Sequence, residues 1–319
     1  MDKSAYRMEN NTSLTNKILH AIADIPKSLR STPQPRLVMT LLVKNEQDLL
    51  EQNLKFHRAM GVDAFIVTDN NSTDNTPEII RKYEEKGWIV ESIEEPATDY
   101  AQKQWVDRMV WAAKTRHGAT WVINADADEF WYSPTGNLKD CLSQTKANVL
   151  RCEVRNMYPE ENMPWTQWSR TAYHIPDAED RGLSPYSIFG HETVKVAHRA
   201  AGYIQISMGN HKVKMLPCNT KNSDIIVYHF NIRGRRQFIE KMVNGGKQYE
   251  NHKSKHGGRH WRYFYALYKE GKLEEEYDRV IGLQQQETLE REGYIRTDSR
   301  LSEKFKELGI EATGDTAKQ

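Results

Sequence analysis

The sequence predicts an α/β fold, a mostly parallel sheet flanked by helices with a helical C-terminal extension. Three observations predict it. Short apolar runs alternate with helix-like segments between residues 36 and 131, the pattern of strands joined by crossover helices. The runs are continuous rather than alternating, as in a parallel sheet covered on both faces. From Gln237 onward the chain is highly charged and reads as helix.

In order, residues 1–35 form an N-terminal helical appendage and linker. Ile18, Ile22 and Ile25 give Asn16–Ile25 a helical spacing, Pro26 is expected to end that helix, and Ser31-Thr-Pro-Gln-Pro35 reads as linker. A main domain over 36–235 opens with a buried strand, Leu37–Val43. A helix follows over Asp48–Met60, with Leu49, Phe56 and Met60 on one side and Gly61 as its stop. Ala64–Thr68 is the second strand, and the polar turn Asp69-Asn-Asn-Ser-Thr-Asp-Asn-Thr76 leads to a helix capped by Thr76 with Pro77 in its first turn. A third strand starts at Trp88–Val90 and a third helix spans Asp99–Thr115. Trp121–Ile123 is the fourth strand. Beyond Asp128, strands are expected at Asn148–Val154, Thr193–Ala197 and Ile225–Phe230, with a long irregular stretch from Met157 to Gly190. Residues 236–319 make the helical extension, and Glu311–Gln319 has a disordered composition.

Composition bounds the function. The hydrophobic share of 38% is low, but eight Trp, fifteen Tyr and eight Phe can fill a core. Mean hydropathy is −0.79. A net charge of +1 speaks against a general nucleic-acid field. Cys141, Cys152 and Cys218 are odd in number and lack metal-ligand spacing, which suggests free thiols in a reducing compartment. No apolar run is long enough for a bilayer, and residues 1–20 lack the apolar core of a signal peptide. The expectation is a cytoplasmic protein, with peripheral contact at the inner membrane face left open.

The chemistry concentrates at strand ends. Trp121-Val-Ile-Asn-Ala-Asp-Ala-Asp-Glu-Phe130 runs an apolar strand into Asp126 and Asp128. Two hard oxygen ligands at the carboxyl edge of a parallel sheet suit Mg²⁺ or Mn²⁺ bridging to a substrate phosphate. Lys44-Asn45-Glu46, Asp69-Asn70-Asn71 and Asp99-Tyr100-x-Gln102 are predicted for the same edge. A carboxylate at Asp69 can accept a base imide N–H or a ribose hydroxyl, whereas Asn45 and Asn71 also fit plain turn chemistry.

These pieces together resemble the family 2-like glycosyltransferases of GT-A fold, and the Asp-Ala-Asp-Glu-Phe form is similar to family 92 transferases. The resemblance covers residues 36–131 and continues more loosely through Tyr228-His-Phe-x-x-Arg233 and Phe238-x-x-Lys241. It implies a GT-A-type, Rossmann-like sheet and a nucleotide-sugar donor, UDP-linked. Asp69 would contact the base, Val43 to Glu46 (including Asn45) would line its pocket, and Asn71 and Gln102 would add donor contacts. Asp126 would contact ribose or metal, and Asp128 would bind Mn²⁺ or Mg²⁺. A late histidine, His229 or its rival His211, would complete the metal shell. The turn reads Asp69-Asn70-Asn71 where many relatives carry a second acidic residue.

Transfer to a saccharide or lipid-linked saccharide acceptor needs a general base opposite the leaving group, and single displacement inverts the anomeric centre. Glu192 is the preferred base, with Glu153 and Asp177 as alternatives. Lys247–Arg262 interleaves Lys, His and Arg with aromatics. It reads as a solvated basic face or as a surface for a diphosphate, an anionic acceptor or a membrane. Three other classes compete, and a hydrolase of the aspartyl-phosphate type would carry Asp-x-Asp after its first strand, whereas here the pair ends the fourth. A nucleotidyltransferase would show a Gly-rich loop after the first strand, and Leu42–Glu46 has none. An inactive sugar-binding relative would not need intact Asp126, Asp128 and His229.

Overall fold

The computed structural model describes residues 13–30, 32–97, 101–190, 193–250 and 258–312. They divide into two compact units, Met1–Val154 with Thr193–Val227 and Arg155–Glu192 with Tyr228–Gln319. The chain begins α1 (Leu14–Ala23), α2 (Ile25–Ser28), β1 (Leu37–Val43), α3 (Leu50–Ala59), β2 (Ala64–Asp69), α4 (Thr76–Glu85), β3 (Ile89–Glu94) and α5 (Gln102–Thr115). It continues β4 (Trp121–Asp126), β5 (Glu129–Tyr132), α6 (Leu138–Gln144), β6 (Val149–Met157), β7 (Arg170–Ala172), β8 (Val194–Arg199), β9 (Tyr203–Ile206), β10 (Val213–Met215) and β11 (Thr220–His229). It ends α7 (Arg235–Glu250), α8 (Arg259–Lys269), α9 (Leu273–Ile281), α10 (Gln286–Arg291), β12 (Ile295–Thr297) and α11 (Arg300–Glu307).

In the first unit β1 lies between β2 and β4 and runs parallel to both. β3 extends the parallel set beyond β2, and beyond β4 lies β8, antiparallel to it, followed by the start of β6, which is antiparallel to β8. The parallel order β3-β2-β1-β4 is half of a doubly wound sheet, whose order reverses between β1 and β4. The apolar runs explain it: Leu37, Val38, Met39 and Leu41 are fully buried, each worth about 1.5–3 kcal/mol. Helix α5 covers one side with Met109, Val110, Ala112 and Ala113, packed in one cluster with Val38, Ala64, Ile66 and Val122. Phe56 of α3 meets Phe130 edge-on at 5.5 Å.

In the second unit the end of β6 pairs with β7, and β7 with β12, both antiparallel. Tyr158, Leu183, Phe189, Phe238, Phe264 and Tyr277 belong to its core. Asp298 clasps this unit: it accepts from Arg155 at 2.9 Å, Tyr228 at 2.8 Å and Arg300 at 2.6 Å. Among the described residues no helix is long and apolar enough to cross a membrane.

Several local expectations change. Pro26 does not follow a continuous helix; it sits in the first turn of α2, where its missing N–H costs nothing. Thr76 is inside α4 rather than its cap. Asp74 Oδ1 accepts the Thr76 N–H at 2.9 Å, and the Thr76 hydroxyl accepts the Glu46 N–H at 2.9 Å. Helix α5 starts at Gln102; Asp99 and Tyr100 lie outside the described residues. The stretch after Met157 contains β7 and two short 3-10 turns.

Candidate active site

Strand register brings the motifs to one edge. Val43 faces Asp69 across β1 and β2, and Leu42 faces Asp126 across β1 and β4. Asp69 and Asp126 therefore flank the end of β1 at the point where strand order reverses, the place where open α/β sheets bind ligands.

The loops on this edge hold one another. Asn45 is in the left-handed region (φ 55°), and its Oδ1 accepts the Thr73 N–H at 2.7 Å. The Asn45 N–H donates to the Ser72 hydroxyl at 2.9 Å, and that hydroxyl donates to Asp69 Oδ1 at 2.5 Å. Asn70 Nδ2 donates to the carbonyls of Glu95 (3.0 Å) and Ala97 (2.8 Å), which fixes the loop after β3. In that loop Glu95 accepts from the buried Arg108 at 2.9 Å. Asn45 thus does turn work, as its type allows. Asn71 is exposed with φ 56°, Gln102 opens α5 largely buried, and Val43 is buried in the core.

The turn carrying Asp126 and Asp128 is braced from behind. Asn53 Nδ2 donates to the carbonyls of Ala127 and Glu129, both at 2.9 Å. His57 Nε2 accepts the Trp131 N–H at 2.9 Å, so its proton sits on Nδ1, which donates to the Asn53 carbonyl at 2.9 Å. Full burial drives the His57 pKa down to about 3 and keeps it neutral. In front, Lys195 of β8 lies 2.9 Å from Asp126 Oδ2 and 2.6 Å from Glu129 Oε1. Burial opposes its charge, but the two carboxylates outweigh that and raise its pKa. The contacts that Asn53, His57 and Lys195 make with this turn were not foreseen from the sequence, and Glu129 was read there only as the acidic continuation of the motif. Lys195 is distant in sequence and no motif announces it. Asn53 and His57 sit four apart on α3, a signal that one helix face was polar where an apolar core was expected.

Of the other candidates, His229 belongs to the second unit, where its Nδ1 lies 3.1 Å from Asn156 Oδ1. His211 is in the first unit, with Nδ1 2.8 Å from the Val194 carbonyl. Glu153 is exposed on β6, and Asp177 is exposed at φ 53° before a short 3-10 turn. Glu192 lies outside the described residues, as do residues 251–257 of the basic segment.

Among the described residues no three His, Cys, Asp or Glu side chains gather as a metal-holding group. The donor chemistry still fits Mg²⁺ or Mn²⁺ in the mode that suits nucleotides. Such an ion takes one or two protein carboxylates, and phosphates and water complete its shell. Asp126, its side chain 34% exposed at the strand end, and Asp128, two residues on, are such a pair.

Comparison with known proteins decides the family. The model of glycosyltransferase family 92 matches residues 39–259, more than half of the chain. The chain belongs to glycosyltransferase family 92. A stretch of 148 residues is 26% identical to a family 92 protein of Ricinus communis and covers 43% of this chain. The match spans about a quarter of that relative's length, 26%. Among solved structures, residues 1–349 of TarS from S. aureus show 14% identity with a TM-score of 0.37, covering 80% of this chain and 74% of that one. The mannosyltransferase PcManGT from Pyrobaculum calidifontis, in complex with GDP-Man and Mn²⁺, shows 15% identity with a TM-score of 0.38, covering 82% and 81%. The expected kinship with family 92, drawn from the strand-end motifs, holds.

Proposed function

We propose that this family 92 member transfers a sugar from a nucleoside-diphosphate sugar, UDP-linked, to a saccharide or lipid-linked saccharide acceptor. The observation that carries the reading is the register that sets Asp69 and Asp126 on either side of β1 at the sheet's reversal point. Asp69 has its Oδ1 engaged with Ser72, and its other oxygen is the natural acceptor for a base N–H or ribose hydroxyl. The loop between Val43 and Glu46, with Asn71 and Gln102, supplies the pocket wall. Asp126 and Asp128 would hold Mn²⁺ or Mg²⁺, which when bound offsets charge on the leaving diphosphate, and a histidine ligand, His229 or its rival His211, rests on the family resemblance alone. Glu192 is assigned the acceptor proton, and inversion follows from a single displacement. Free thiols at Cys141, Cys152 and Cys218 accord with a cytoplasmic setting. The domain division proposed is 1–35, 36–235 and 236–319.

The test is a thermal-shift screen of nucleotide-sugars with and without Mn²⁺, followed by release of nucleoside diphosphate in the presence of candidate acceptors. A ligand that binds only the folded protein raises the melting temperature by mass action. A metal-dependent shift by one nucleotide class supports the reading. Indifference to every nucleotide-sugar with either ion sinks it.

A further inference from the structure

Helix α1 docks through Ala21 and Lys17 and leaves several large aliphatic side chains in water. At about 100° per residue, positions 17, 20, 21 and 24 share one side. That side is docked on the first unit. Ala21 is fully buried, Lys17 Nζ lies 3.4 Å from Asp107 Oδ2, and His20 meets Trp111 edge-on at 5.8 Å. Asp24, just past the helix, binds Lys114 Nζ at 2.5 Å and the Gly202 N–H at 3.4 Å.

Positions 18, 19 and 22 fall on the other side, and position 14 lies at its border beside position 21. Leu14 and Ile22 are each 50% exposed, Leu19 59%, and Leu29 beyond α2 70%. A docked surface helix ordinarily gives water its polar face. The β9–β10 hairpin on which α1 rests adds Met208 (63% exposed), and Leu216 follows it (37%). Isolated exposed hydrophobics need no explanation, but a group carried by one helix and its supporting hairpin does.

The charges around these groups are of one sign. Lys27, Arg30, Lys212 and Lys214 are exposed. Across residues 13–30 and 203–216 the sole acidic residue is Asp24, which is already bound to Lys114. Aliphatic side chains that enter the boundary between headgroups and acyl chains, flanked by cations for lipid phosphates, are the chemistry of an interfacial helix. A second copy of the chain would set these cations against their own kind, which disfavours self-association. We propose that the outer face of α1 with the β9–β10 hairpin is a docking surface for an anionic phospholipid bilayer. This inference is independent of the sugar-transfer reading.

The experiment is co-sedimentation of the full chain with vesicles of phosphatidylcholine alone or mixed with phosphatidylglycerol. The wild type should pellet with the anionic vesicles, not the neutral ones, and should release as salt is raised. Leu19→Glu with Ile22→Glu, and separately Lys212→Glu with Lys214→Glu, should each weaken binding on the order of tenfold or more. Unchanged melting temperatures would show both variants folded. Failure of the wild type to pellet with anionic vesicles at low salt overturns the proposal, as does undiminished binding by both variants. A dimer in size-exclusion chromatography that Leu19→Glu with Ile22→Glu abolishes, without vesicle binding, assigns the face to a second copy and also overturns it.

Discussion

The Lys195 ammonium sits 2.9 Å from Asp126, joining a buried residue of β8 to the first carboxylate of the Asp-x-Asp turn, and it reaches Glu129 at 2.6 Å as well. Three carboxylates within four residues, two of them nearly fully buried, need a counter-charge before any ligand arrives. Lys195→Met should therefore destabilise the fold. Removing one partner of a buried ion pair costs about 3–5 kcal/mol, and the lower end applies because Asp126 is partly exposed. Urea unfolding measures it. A loss below about 1 kcal/mol, the scale of a surface pair, would show that Lys195 is dispensable as counter-charge.

Asp69 divides its carboxylate between a turn and an open side. Asp69→Ala should weaken nucleotide-sugar binding by about 1.5–3 kcal/mol, the value of one charge-assisted hydrogen bond. Because Ser72 also leans on Asp69, Ser72→Ala is the control for the turn alone. Titration calorimetry should show the larger loss at Asp69. Equal losses at the two positions would place the effect in loop geometry rather than in a ligand contact.

Asp128→Ala should abolish turnover and remove the difference in nucleotide affinity between Mn²⁺ and chelator, since a hard cation loses a protein carboxylate. Asn53 holds the same turn through the carbonyls of Ala127 and Glu129. Asn53→Ala should give a milder version, with weaker Mn²⁺ binding and measurable residual turnover. Full wild-type activity of Asp128→Ala would end the metal assignment.

The parallel core was legible because its strands are short continuous apolar runs, each closed by a polar cluster. Leu37–Val43 lies where hydrophobicity alone put it, the strand expected at Trp121–Ile123 runs on to Asp126, and register then delivered Asp69 and Asp126 to one edge. What pairs over long sequence distances was not legible. β7 and β12 are three residues each and exist through each other, and Lys195 finds Asp126 only once β8 is laid beside β4. Thr76 looked like a cap from its neighbours in sequence. The residue it serves, Glu46, lies thirty positions away.

Acid should loosen this protein in a window set by two buried histidines. His57 and His198 are both fully buried, and desolvation lowers their pKa values from 6.5 to about 3 and about 4. Each donates from Nδ1, His57 to the Asn53 carbonyl and His198 to the Arg199 carbonyl. Each also accepts at Nε2, from the Trp131 N–H and from Asn124 Nδ2. Both are therefore neutral in the fold, whereas in the unfolded chain they take up protons below about pH 6.5. The stabilisation is complete above that pH and is lost as pH falls from about 6.5 towards 4, because the unfolded state binds more protons. The slope should approach about 2.7 kcal/mol per pH unit for two histidines, at about 1.36 kcal/mol each. Carboxylates contribute little above pH 5, since their unfolded values lie near 4, so the window from pH 6.5 to 5 reports the imidazoles. Urea unfolding across it should show the slope, and His198→Gln or His57→Gln should each lower it by about one proton. A flat stability between pH 7 and 5 would mean that these rings are protonated, or reached by water, in the folded protein.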